Sequence, residues 1–473
     1  MTSATLSTGA DVRAIVARQR ASHAQSPRTV TERLDLLARL GSALAARRGE
    51  FAAALHADFA KPATEVEITE VQPVLREIRY VRRRLRHWAR PERVPTPALL
   101  IGTQSEIRRE PKGVVLVLAP WNYPVYLALM PVVAALAAGN RVVLKPSERV
   151  PHTSAALVRL AESSIDATDL SVVQGDAEFA SRLLDLPFDH IFFTGSARTA
   201  RKILARAADR LIPVTLELGG KSPAILDPTA SVTDAAERIV WGKFLNAGQT
   251  CVAPDYVWVP ESVLPAFLEA ARTTLVRFYG TDDAAHAGCA DYCGLVDEAA
   301  QQRLVQLLDD AVRRGARIET GGATRNGRLA PTILSRVPHD AGLTREEIFG
   351  PILPVLAYRD LDDVLRSISA QGKPLALYLF SEDRHWIERV LSGTQSGGVV
   401  VNNVVVHLGN PYLPFGGIGD SGMGQYHGRF GFDTFSHHRA VLRQGSPYLL
   451  RLFHPPYGRR TERVLRFVDR LLS

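Results

Sequence analysis

A single cysteine, Cys251, lies in the segment NAGQTCVAP, among small and polar residues. A cysteine attacks an electrophilic carbon as the thiolate, and its unperturbed pKa is about 8.5. Gly248, three residues earlier, is expected to loosen the backbone around the thiol. The alternative is that Cys251 is a small buried apolar residue. Cys251 is therefore a candidate nucleophile whose interpretation depends on its neighbours.

Two other polar residues have the chemistry to assist such a thiol. Glu217, in LELGGKS, follows a predicted strand and is either solvated, ion-paired or held as a general base. The paired glycines behind it suggest close backbone approach by a ligand. Asn122, in APWNYP, either donates its amide to an oxyanion or satisfies its own backbone in a turn.

Two more loops have residue types that suit a nucleotide. Lys145 and Glu148, in LKPSE, could bind the two hydroxyls of a ribose, or Ser147 and Glu148 could form a capping pattern before a helix at residue 152. Gly195 and Ser196, in FFTGSA, open a predicted helix whose amides could receive a phosphate. The GxGxxG dinucleotide fingerprint is absent, so an ordinary Rossmann phosphate turn is not supported.

The chain has only three cysteines, Cys251, Cys289 and Cys293. This number cannot build a disulfide framework and is typical of a reducing compartment. His286, Cys289 and Cys293 form an H-x2-C-x3-C pattern, but a structural zinc needs four ligands and no second cluster is evident. We therefore predict no metal.

Composition excludes several other classes of protein. The 473 residues are 46% hydrophobic and 22% charged, which is ordinary for a globular chain of several domains. The net charge is +8, and residues 81–94 and 451–473 carry six Arg each. Neither stretch has the interleaved aromatics or the module of a nucleic-acid interface, so we interpret both as solvated helix faces and predict no nucleic-acid partner.

No run of about 18 apolar residues occurs, and the first 25 residues lack an apolar signal region, so we expect a cytoplasmic protein.

The elements that must position these residues alternate between strand and helix. Residues 30–58 and 64–88 have apolar residues at helical spacing, and the prolines of RPERVPTP end the second helix. From residue 113 to 217, short apolar runs alternate with helical segments, and residues 221–400 repeat this theme. Apolar strands separated by helices predict parallel sheets that are covered on both faces. The candidate loops would then share the carboxyl ends of the strands, where ligands bind.

The loops in order resemble the NAD(P)-dependent aldehyde dehydrogenase superfamily from about residue 30 to 442. The motifs that carry this resemblance are APWNYP, AAGNRVVLKPSE, FFTGS, LELGGKSPAIL, NAGQTCVAP, EEIFGPILPV and LPFGGIGDSGMGQYHG. WARPERVPTP and the segment from HLGNPYLPFGG to FSH are similar to the class 3 branch, which includes fatty, aromatic and coniferyl aldehyde dehydrogenases.

The resemblance implies a role for each candidate residue. Cys251 would be the nucleophile, Glu217 the general base and Asn122 the oxyanion donor. NAD or NADP would be the cofactor, with the nicotinamide ribose and ring positioned by Glu347 and Phe349. The implied remaining cofactor-binding residues are Pro120, Trp121, Lys145, Glu148, Gly195, Ser196 and Leu218. One position departs from the GSxxxG pattern of many relatives, because Ala200 replaces the second glycine.

The implied reaction is oxidation of an aldehyde to the carboxylic acid through a Cys251 thiohemiacetal and a thioester. Glu217 favours hydrolysis over acyl transfer to coenzyme A, because acylating relatives typically lack this carboxylate. A catalytically silent binding protein of the same fold is the other alternative, although nucleophile, base and donor are all present. Tyr123, Tyr126 and the apolar tail suggest an apolar or aromatic aldehyde, and Glu148 would repel the 2′-phosphate of NADP.

The implied fold is the α/β aldehyde dehydrogenase fold, with a Rossmann-like cofactor domain, an α/β catalytic domain and a β oligomerisation arm. We assign residues 1–89 and 110–217 to the first, 218–400 to the second, and 90–109 and 401–445 to the arm of a homodimer. The tail 446–473 would carry an amphipathic helix over 461–472, with Val464, Leu465, Phe467, Val468, Leu471 and Leu472 opposite Arg463, Arg466 and Arg470. We favour its docking on the partner subunit or over the substrate channel, rather than on a membrane surface.

Overall fold

The computed structural model describes residues 9–97, 100–325 and 327–472. The helices are α1 Gly9–Gln25, α2 Val30–Ala46, α3 Arg48–Phe59, α4 Ala63–Val66, α5 Gln72–Trp88, α6 Tyr126–Ala138, α7 Pro151–Ser164, α8 Ala177–Leu183, α9 Ala197–Ala208, α10 Val232–Phe244, α11 Leu264–Tyr279, α12 Asp283–Gly288, α13 Glu298–Arg313, α14 Gly342–Arg345, α15 Leu361–Ala370, α16 Arg384–Gly393, α17 Gly428–Thr434 and α18 Arg459–Leu472. The strands are β1 Glu92–Val94, β2 Thr103–Pro111, β3 Val114–Leu118, β4 Arg141–Lys145, β5 Leu170–Val172, β6 His190–Thr194, β7 Val214–Glu217, β8 Pro223–Leu226, β9 Tyr256–Pro260, β10 Arg317–Thr320, β11 Thr324–Arg325, β12 Arg328–Leu329, β13 Thr332–Ser335, β14 Ile352–Tyr358, β15 Ala376–Phe380, β16 Gly398–Val401, β17 Gly422–Met423 and β18 Ser436–Gln444.

The two long helices predicted near the N-terminus are each interrupted. The predicted helix 30–58 bends at Arg47, so that α2 packs on α5 while α3 packs on α7. The predicted helix 64–88 contains a π-helical turn, Glu67–Val71, between α4 and α5. Apolar periodicity predicted the helices correctly, but the bend and the π turn depend on the packing partners.

A six-stranded sheet has the order β17-β7-β6-β3-β4-β5, and the five strands from β7 to β5 are parallel. Alternate residues of β3 enter different cores: Val115 and Val117 pack with α6, whereas Val114, Leu116 and Leu118 pack with α1, α8 and α9. This confirms the predicted parallel sheet with both faces covered. It also explains why the strand is apolar throughout.

A seven-stranded sheet follows, with the order β10-β13-β14-β9-β8-β15-β16. All of its pairs are parallel except β10 with β13, which is antiparallel. Strand β7 of the six-stranded sheet ends at Glu217, and strand β8 of the seven-stranded sheet begins at Pro223, so the segment LGGKS connects the two sheets. The predicted α/β fold with two sheets is confirmed.

A separate three-stranded antiparallel sheet, β1-β2-β18, stands apart from the two large sheets. Within the predicted arm segment 401–445, the only strand in this sheet is Ser436–Gln444, which pairs along Thr103–Pro111. Gly422–Met423 instead pairs antiparallel with β7, so this glycine-rich stretch returns to the edge of the six-stranded sheet before the chain enters β18.

The C-terminal helix α18 covers the predicted amphipathic segment. The side chains of Phe467, Val468, Arg470, Leu471 and Leu472 lie outside the described residues. Within the part of the chain that the structure describes, no helix is both long and apolar enough to span a bilayer.

Candidate active site

The site lies where the carboxyl ends of four parallel strands meet. The strands β4, β3, β6 and β7 are consecutive in the six-stranded sheet, so the loops after them share one edge. Two backbone hydrogen bonds join these loops: Ala119 N–H donates to the Lys145 carbonyl, and Gly195 N–H donates to the Glu217 carbonyl, each at 3.0 Å. The structure therefore brings together candidate residues that are up to about a hundred positions apart in the sequence.

The Cys251 loop is a tightly constrained turn rather than a loosened one. Asn246 and Ala247 have positive φ angles of 53° and 52°, which non-glycine residues seldom adopt. Gly248 has φ 73°, and a Cβ there would lie 2.3 Å from the Gly350 carbonyl oxygen. The expectation that Gly248 loosens the backbone is wrong, because the glycine is needed for a close contact between two backbones.

Asn122 is held by the cysteine loop itself. Its side chain is 3% exposed, and its amide donates to the Gln249 carbonyl at 3.0 Å. In return, the Asn246 amide donates to the Asn122 carbonyl at 2.9 Å. An amide NH₂ has two donors, so one remains for a ligand oxygen after the bond to Gln249.

Glu217 ends β7 and is buried without a partner. The side chain is 2% exposed, and neither carboxyl oxygen has a hydrogen-bond partner within the described residues. Burial raises the pKa of Glu217 well above its ordinary value. Because unpaired buried carboxyl groups are costly, this arrangement points to a role in chemistry or binding rather than in stability.

Glu347 approaches the same loop from the other sheet. A Cβ on Gly219 would lie 2.2 Å from Glu347 Oε1, so the glycine makes room for this carboxyl group. Oε1 has no hydrogen-bond partner within the described residues. Burial, reinforced by the charge of Asp255, raises the pKa of Glu347 to about 8.

Aromatic rings meet beside Glu347. The Phe349 ring, on a residue with φ 48°, contacts the Trp121 ring edge-on with centroids 5.4 Å apart. The Arg149 guanidinium lies 4.6 Å from the Trp121 centroid and pairs with Asp297. The structure thus places two predicted cofactor residues in direct contact, and it adds an arginine that sequence reasoning missed.

The remaining predicted cofactor residues line the same strand ends. Lys145 ends β4 and forms an ion pair with Glu148. The alternative capping role for Ser147 or Glu148 is not seen, because Asp58 accepts the amides of His152 and Thr153 at the start of α7. The others are half-buried Pro120 and Gly195, exposed Ser196, which caps α9, and buried Leu218.

The half-buried Cys251 thiol lies near these carboxyl groups. Burial raises its pKa to about 12, and the negative charges of Glu347 and Glu217 add to this effect. The thiol is therefore protonated at neutral pH in this state of the protein. A base or a cation must act before it becomes a nucleophile.

Cys251 also lines a cavity of about 400 Å³ whose other walls are largely apolar. Several aromatic side chains line it, and the Tyr126 hydroxyl lies 3.0 Å from His427 Nε2 in a hydrogen bond. The lining includes Ile68, Thr69, Tyr123, Tyr126, Leu127, Trp241, Leu245, Phe415, Tyr426 and His427. The thiol therefore borders an apolar chamber, while the carboxyl groups of Glu217 and Glu347 lie close enough to raise its pKa.

Several residues that support the site had no motif that singled them out. Lys221 pairs with Asp255 and donates to the Leu343 and Glu346 carbonyls at 2.8 and 3.0 Å. Asp255 accepts the Ile348 amide at 3.0 Å, so the pair fixes both sides of Glu347. The only sequence signal for Lys221 and Asp255 was their position inside LGGKS and APDY.

The residues of the H-x2-C-x3-C pattern have other partners. His286 Nε2 lies 2.7 Å from the Gly280 carbonyl oxygen, and Cys293 is buried against the Phe59 carbonyl. Within the described residues, no group of three or more His, Cys, Asp and Glu side chains is arranged to hold a metal.

Comparisons with known proteins identify the family of the chain. The model of the aldehyde dehydrogenase family matches residues 1–441. The chain is 41% identical over 435 residues to the 4,4'-diaponeurosporen-aldehyde dehydrogenase of Staphylococcus aureus, covering 92% of this chain and 94% of that protein. It is 39% identical over 457 residues to a probable coniferyl aldehyde dehydrogenase of Pseudomonas aeruginosa, covering 96% and 95%. It is also 41% identical to human aldehyde dehydrogenase family 3 member B1, covering 94% of each.

Solved structures have the same fold. The substrate-bound AldH of Staphylococcus aureus superposes with a TM-score of 0.92 at 39% identity, over 97% of this chain and 99% of that one. An aldehyde dehydrogenase of Mycobacterium tuberculosis complexed with NAD+ superposes with a TM-score of 0.85 at 28% identity, over 94% and 92%. The chain belongs to the aldehyde dehydrogenase family, and its relatives are consistent with the class 3-like branch that the sequence indicates.

Proposed function

We propose that this aldehyde dehydrogenase oxidises a medium- or long-chain aliphatic aldehyde, or an aromatic one, to the carboxylic acid. Cys251 is the nucleophile, Glu217 the general base and Asn122 the oxyanion donor. One observation carries the proposal: a thiol borders an apolar cavity and lies close to a buried carboxyl group that has no partner among the described residues. Two relatives named for diaponeurosporen-aldehyde and coniferyl aldehyde support this substrate class.

In the first step, the Cys251 sulfur bonds to the aldehyde carbon, and the carbonyl electron pair moves to oxygen. Glu217 takes the thiol proton, since its raised pKa makes it a strong enough base for a thiol whose own pKa is raised by the same environment. The free N–H of the Asn122 amide stabilises the oxyanion. Losing one donor of this kind typically raises the barrier by about 3–4 kcal/mol.

Aldehyde dehydrogenases use NAD or NADP, and the residues here fit such a cofactor. Glu347 Oε1 is an unpartnered acceptor for a ribose hydroxyl, and the amides after Ser196 begin a helix that suits a phosphate. Lys145 and Glu148 would hold the adenosine ribose, with Glu148 repelling a 2′-phosphate. A dinucleotide held by these residues would supply the hydride acceptor, so that the Cys251 adduct could lose hydride from the substrate carbon and become a thioester.

In the second step, after the proton taken from the thiol has passed to solvent, Glu217 removes a proton from water. The water oxygen bonds to the acyl carbon, the carbon–sulfur bond breaks, and the Cys251 thiolate is restored as the acid leaves. Water at neutral pH is a poor nucleophile, and general-base catalysis contributes roughly 10²–10⁴-fold. A carboxyl group at position 217 therefore favours hydrolysis over transfer to coenzyme A.

The roles that we propose for the segments of the chain correspond to its sheets. Residues 1–89 and 110–217 would bind the cofactor, and 218–400 would supply the nucleophile. The sheet of β1, β2 and β18 would form the arm of a homodimer. The C-terminal helix α18 would dock on the partner subunit or over the substrate channel.

Steady-state rates on a panel from propanal to long-chain and aromatic aldehydes, with NAD and with NADP, test the proposal. We expect kcat/KM to rise with chain length or ring content and the product to be the free acid. Acid formation that depends on added coenzyme A, or equal rates on propanal and on the long-chain aldehydes, would contradict it.

A further inference from the structure

A fully buried ion pair lies directly behind the cavity. Lys61 Nζ is 2.8 Å from Glu70 Oε1, and neither side chain has any exposed surface. Removing two charges from water costs several kcal/mol per ion, so a pair of this kind is poor evidence for stability alone. What the pair contacts therefore matters more than its attraction.

Glu70 holds the backbone that carries Asn122. Its second oxygen, Oε2, accepts the amides of Val125 at 3.1 Å and Tyr126 at 2.9 Å. These amides open α6, where a helix has unpaired donors and a carboxylate is favoured by the helix dipole. Asn122 lies three residues before Val125, in the same rigid proline-bounded loop.

Lys61 reaches the cysteine loop through Tyr123. Its ammonium lies 4.0 Å from the centroid of the Tyr123 ring, within the range of a cation–π contact. The Tyr123 hydroxyl is 2.7 Å from Thr250 Oγ1, and Thr250 immediately precedes Cys251. The ion pair is thus connected to both loops that would act on the aldehyde.

The segment that carries Glu70 also forms a wall of the cavity. The π-helical turn Glu67–Val71 presents Ile68 and Thr69 to the cavity, while Glu70 points into the interior. Turns of this type are rare and are concentrated at functional sites. The turn therefore couples the substrate wall to the two loops.

We propose that Lys61 and Glu70 are positioning residues that hold Asn122 and Cys251 in register for attack on the aldehyde. The inference rests on the roles proposed for Asn122 and Cys251. Neither Lys61 nor Glu70 lines the cavity, so they act through the backbone of α6 and the ring of Tyr123.

Single-turnover kinetics with enzyme in excess over aldehyde test this role, because the rate constant then reports only the correctly folded molecules. The full-length variants Glu70→Gln, Lys61→Met and the charge-neutral double variant are compared with the wild type. Glu70→Gln should lower the rate constant for reduced-cofactor formation roughly 10²-fold, since small misplacements of reacting groups have this effect. Lys61→Met should lower it less, by roughly tenfold, because Glu70 keeps its amide bonds. KM for the cofactor should stay within about twofold in both.

The double variant should restore the rate constant that Glu70→Gln lowers. Met beside Gln removes both charges of the pair and retains an acceptor for the amides, so the rate constant should return to within about threefold of wild type. The buried Glu65 carboxyl group, 4.0 Å from Lys61, also loses its cation in this variant, but burial raises its pKa to about 7 and it becomes neutral. Asp169→Asn is the matched control, since it breaks the buried Arg141–Asp169 pair at the amino ends of the strands. It should lower Tm but leave the rate constant within about twofold.

A rate constant for Glu70→Gln within about twofold of wild type, or a double variant as slow as Glu70→Gln, would overturn the positioning role. A wild type that forms no acyl-enzyme would instead contradict the proposed function. If Glu70→Gln does not fold, Tyr123→Phe provides the test, because it removes the bond to Thr250 and leaves the ion pair intact. It should slow the same step without changing KM for the cofactor, and an unchanged rate constant would count against the proposal.

Discussion

Two groups of buried charge lie on either side of the Cys251 loop, and they differ in how they are satisfied. Behind the cavity, Lys61 and Glu70 are paired, and every Glu70 oxygen has a donor. On the other side, Glu217 and Lys243 are buried and Glu347 is half-buried, and each has an oxygen or nitrogen without a partner within the described residues. Burial raises the pKa of both acids and lowers the pKa of Lys243 to about 8.

The difference separates buried groups that fix the backbone from buried groups that can transfer a proton or bind a ligand. A satisfied buried carboxylate fixes the backbone atoms that donate to it, and it has no remaining capacity for a ligand. An unsatisfied one keeps its acceptor positions and has a shifted pKa, both of which suit proton transfer or ligand binding. We therefore expect substitutions in the unpaired group to change chemistry, and substitutions in the paired group to change geometry.

The largest expected effect is at the thiol between the two groups. Cys251→Ala should reduce acid formation by roughly 10⁴-fold or more, because no other group can form the acyl adduct. Mass spectrometry during turnover should find the adduct on Cys251 in the wild type only. Cys289→Ala, at another half-buried cysteine, is the control and should keep its activity. Turnover by Cys251→Ala at a rate near that of wild type would show that Cys251 is not the nucleophile.

Next in size is the unpaired base. Glu217→Gln should still release one equivalent of reduced cofactor per site, followed by turnover slowed roughly 10²–10⁴-fold, because thioester hydrolysis loses its base. Stopped-flow detection of the reduced cofactor measures both phases. Glu319→Gln, which removes a carboxylate in β10, should leave both phases unchanged. An unchanged steady-state rate for Glu217→Gln would reject its role.

A smaller effect is expected at the rim of the proposed cofactor site, where Lys145 and Glu148 are paired but Glu148 is exposed. Glu148→Gln should raise the ratio of kcat/KM for NADP to that for NAD roughly fivefold, since it removes repulsion worth about 1 kcal/mol near the surface. Steady-state kinetics with both cofactors measure this ratio. If the ratio does not move, Glu148 does not face the 2′-position.

The smallest effect concerns stability rather than rate. Burial raises the pKa of Glu77, a carboxyl group that accepts the Gly428 amide at 2.7 Å, from 4.5 to about 7. Below pH 4.5 both folded and unfolded states are protonated. Between pH 4.5 and 7 only the unfolded state loses its proton, so the free energy of unfolding falls as pH rises.

Glu77→Gln should remove up to about 3 kcal/mol of this fall. Denaturant unfolding at a series of pH values measures it. Glu32→Gln is the contrasting control, because Glu32 is in the exposed capping box with Thr29, which lowers its pKa, and its loss should act in the opposite direction. Parallel pH curves for wild type and Glu77→Gln would contradict the assignment.

The sequence predicted which residues form the candidate site better than it predicted the contacts between them. Glu217 and Asn122 stand in short motifs at the ends of apolar runs, and those runs became parallel strands that end at one edge. Cys251 stands in a short motif between α10 and β9 rather than at the end of a strand. Lys61, Glu70, Lys221 and Asp255 lie in ordinary helical or loop contexts, and nothing in their spacing indicates the partners they meet. Lys61 and Glu70 are nine positions apart and Lys221 and Asp255 are 34 apart, and neither spacing is a recognisable pattern for an ion pair, which is why these supporting residues were missed.

Local sequence decided which segments form strands and helices, because apolar periodicity, prolines and capping residues act over a few positions. Only the tertiary structure decided that Gly248 is a close-contact position, that Gly219 makes room for Glu347, and that Asp58 rather than Ser147 accepts the amides of α7. Each of these depends on atoms brought together from distant parts of the chain. The physical reason is that burial and pairing, unlike propensity, are properties of the packed molecule.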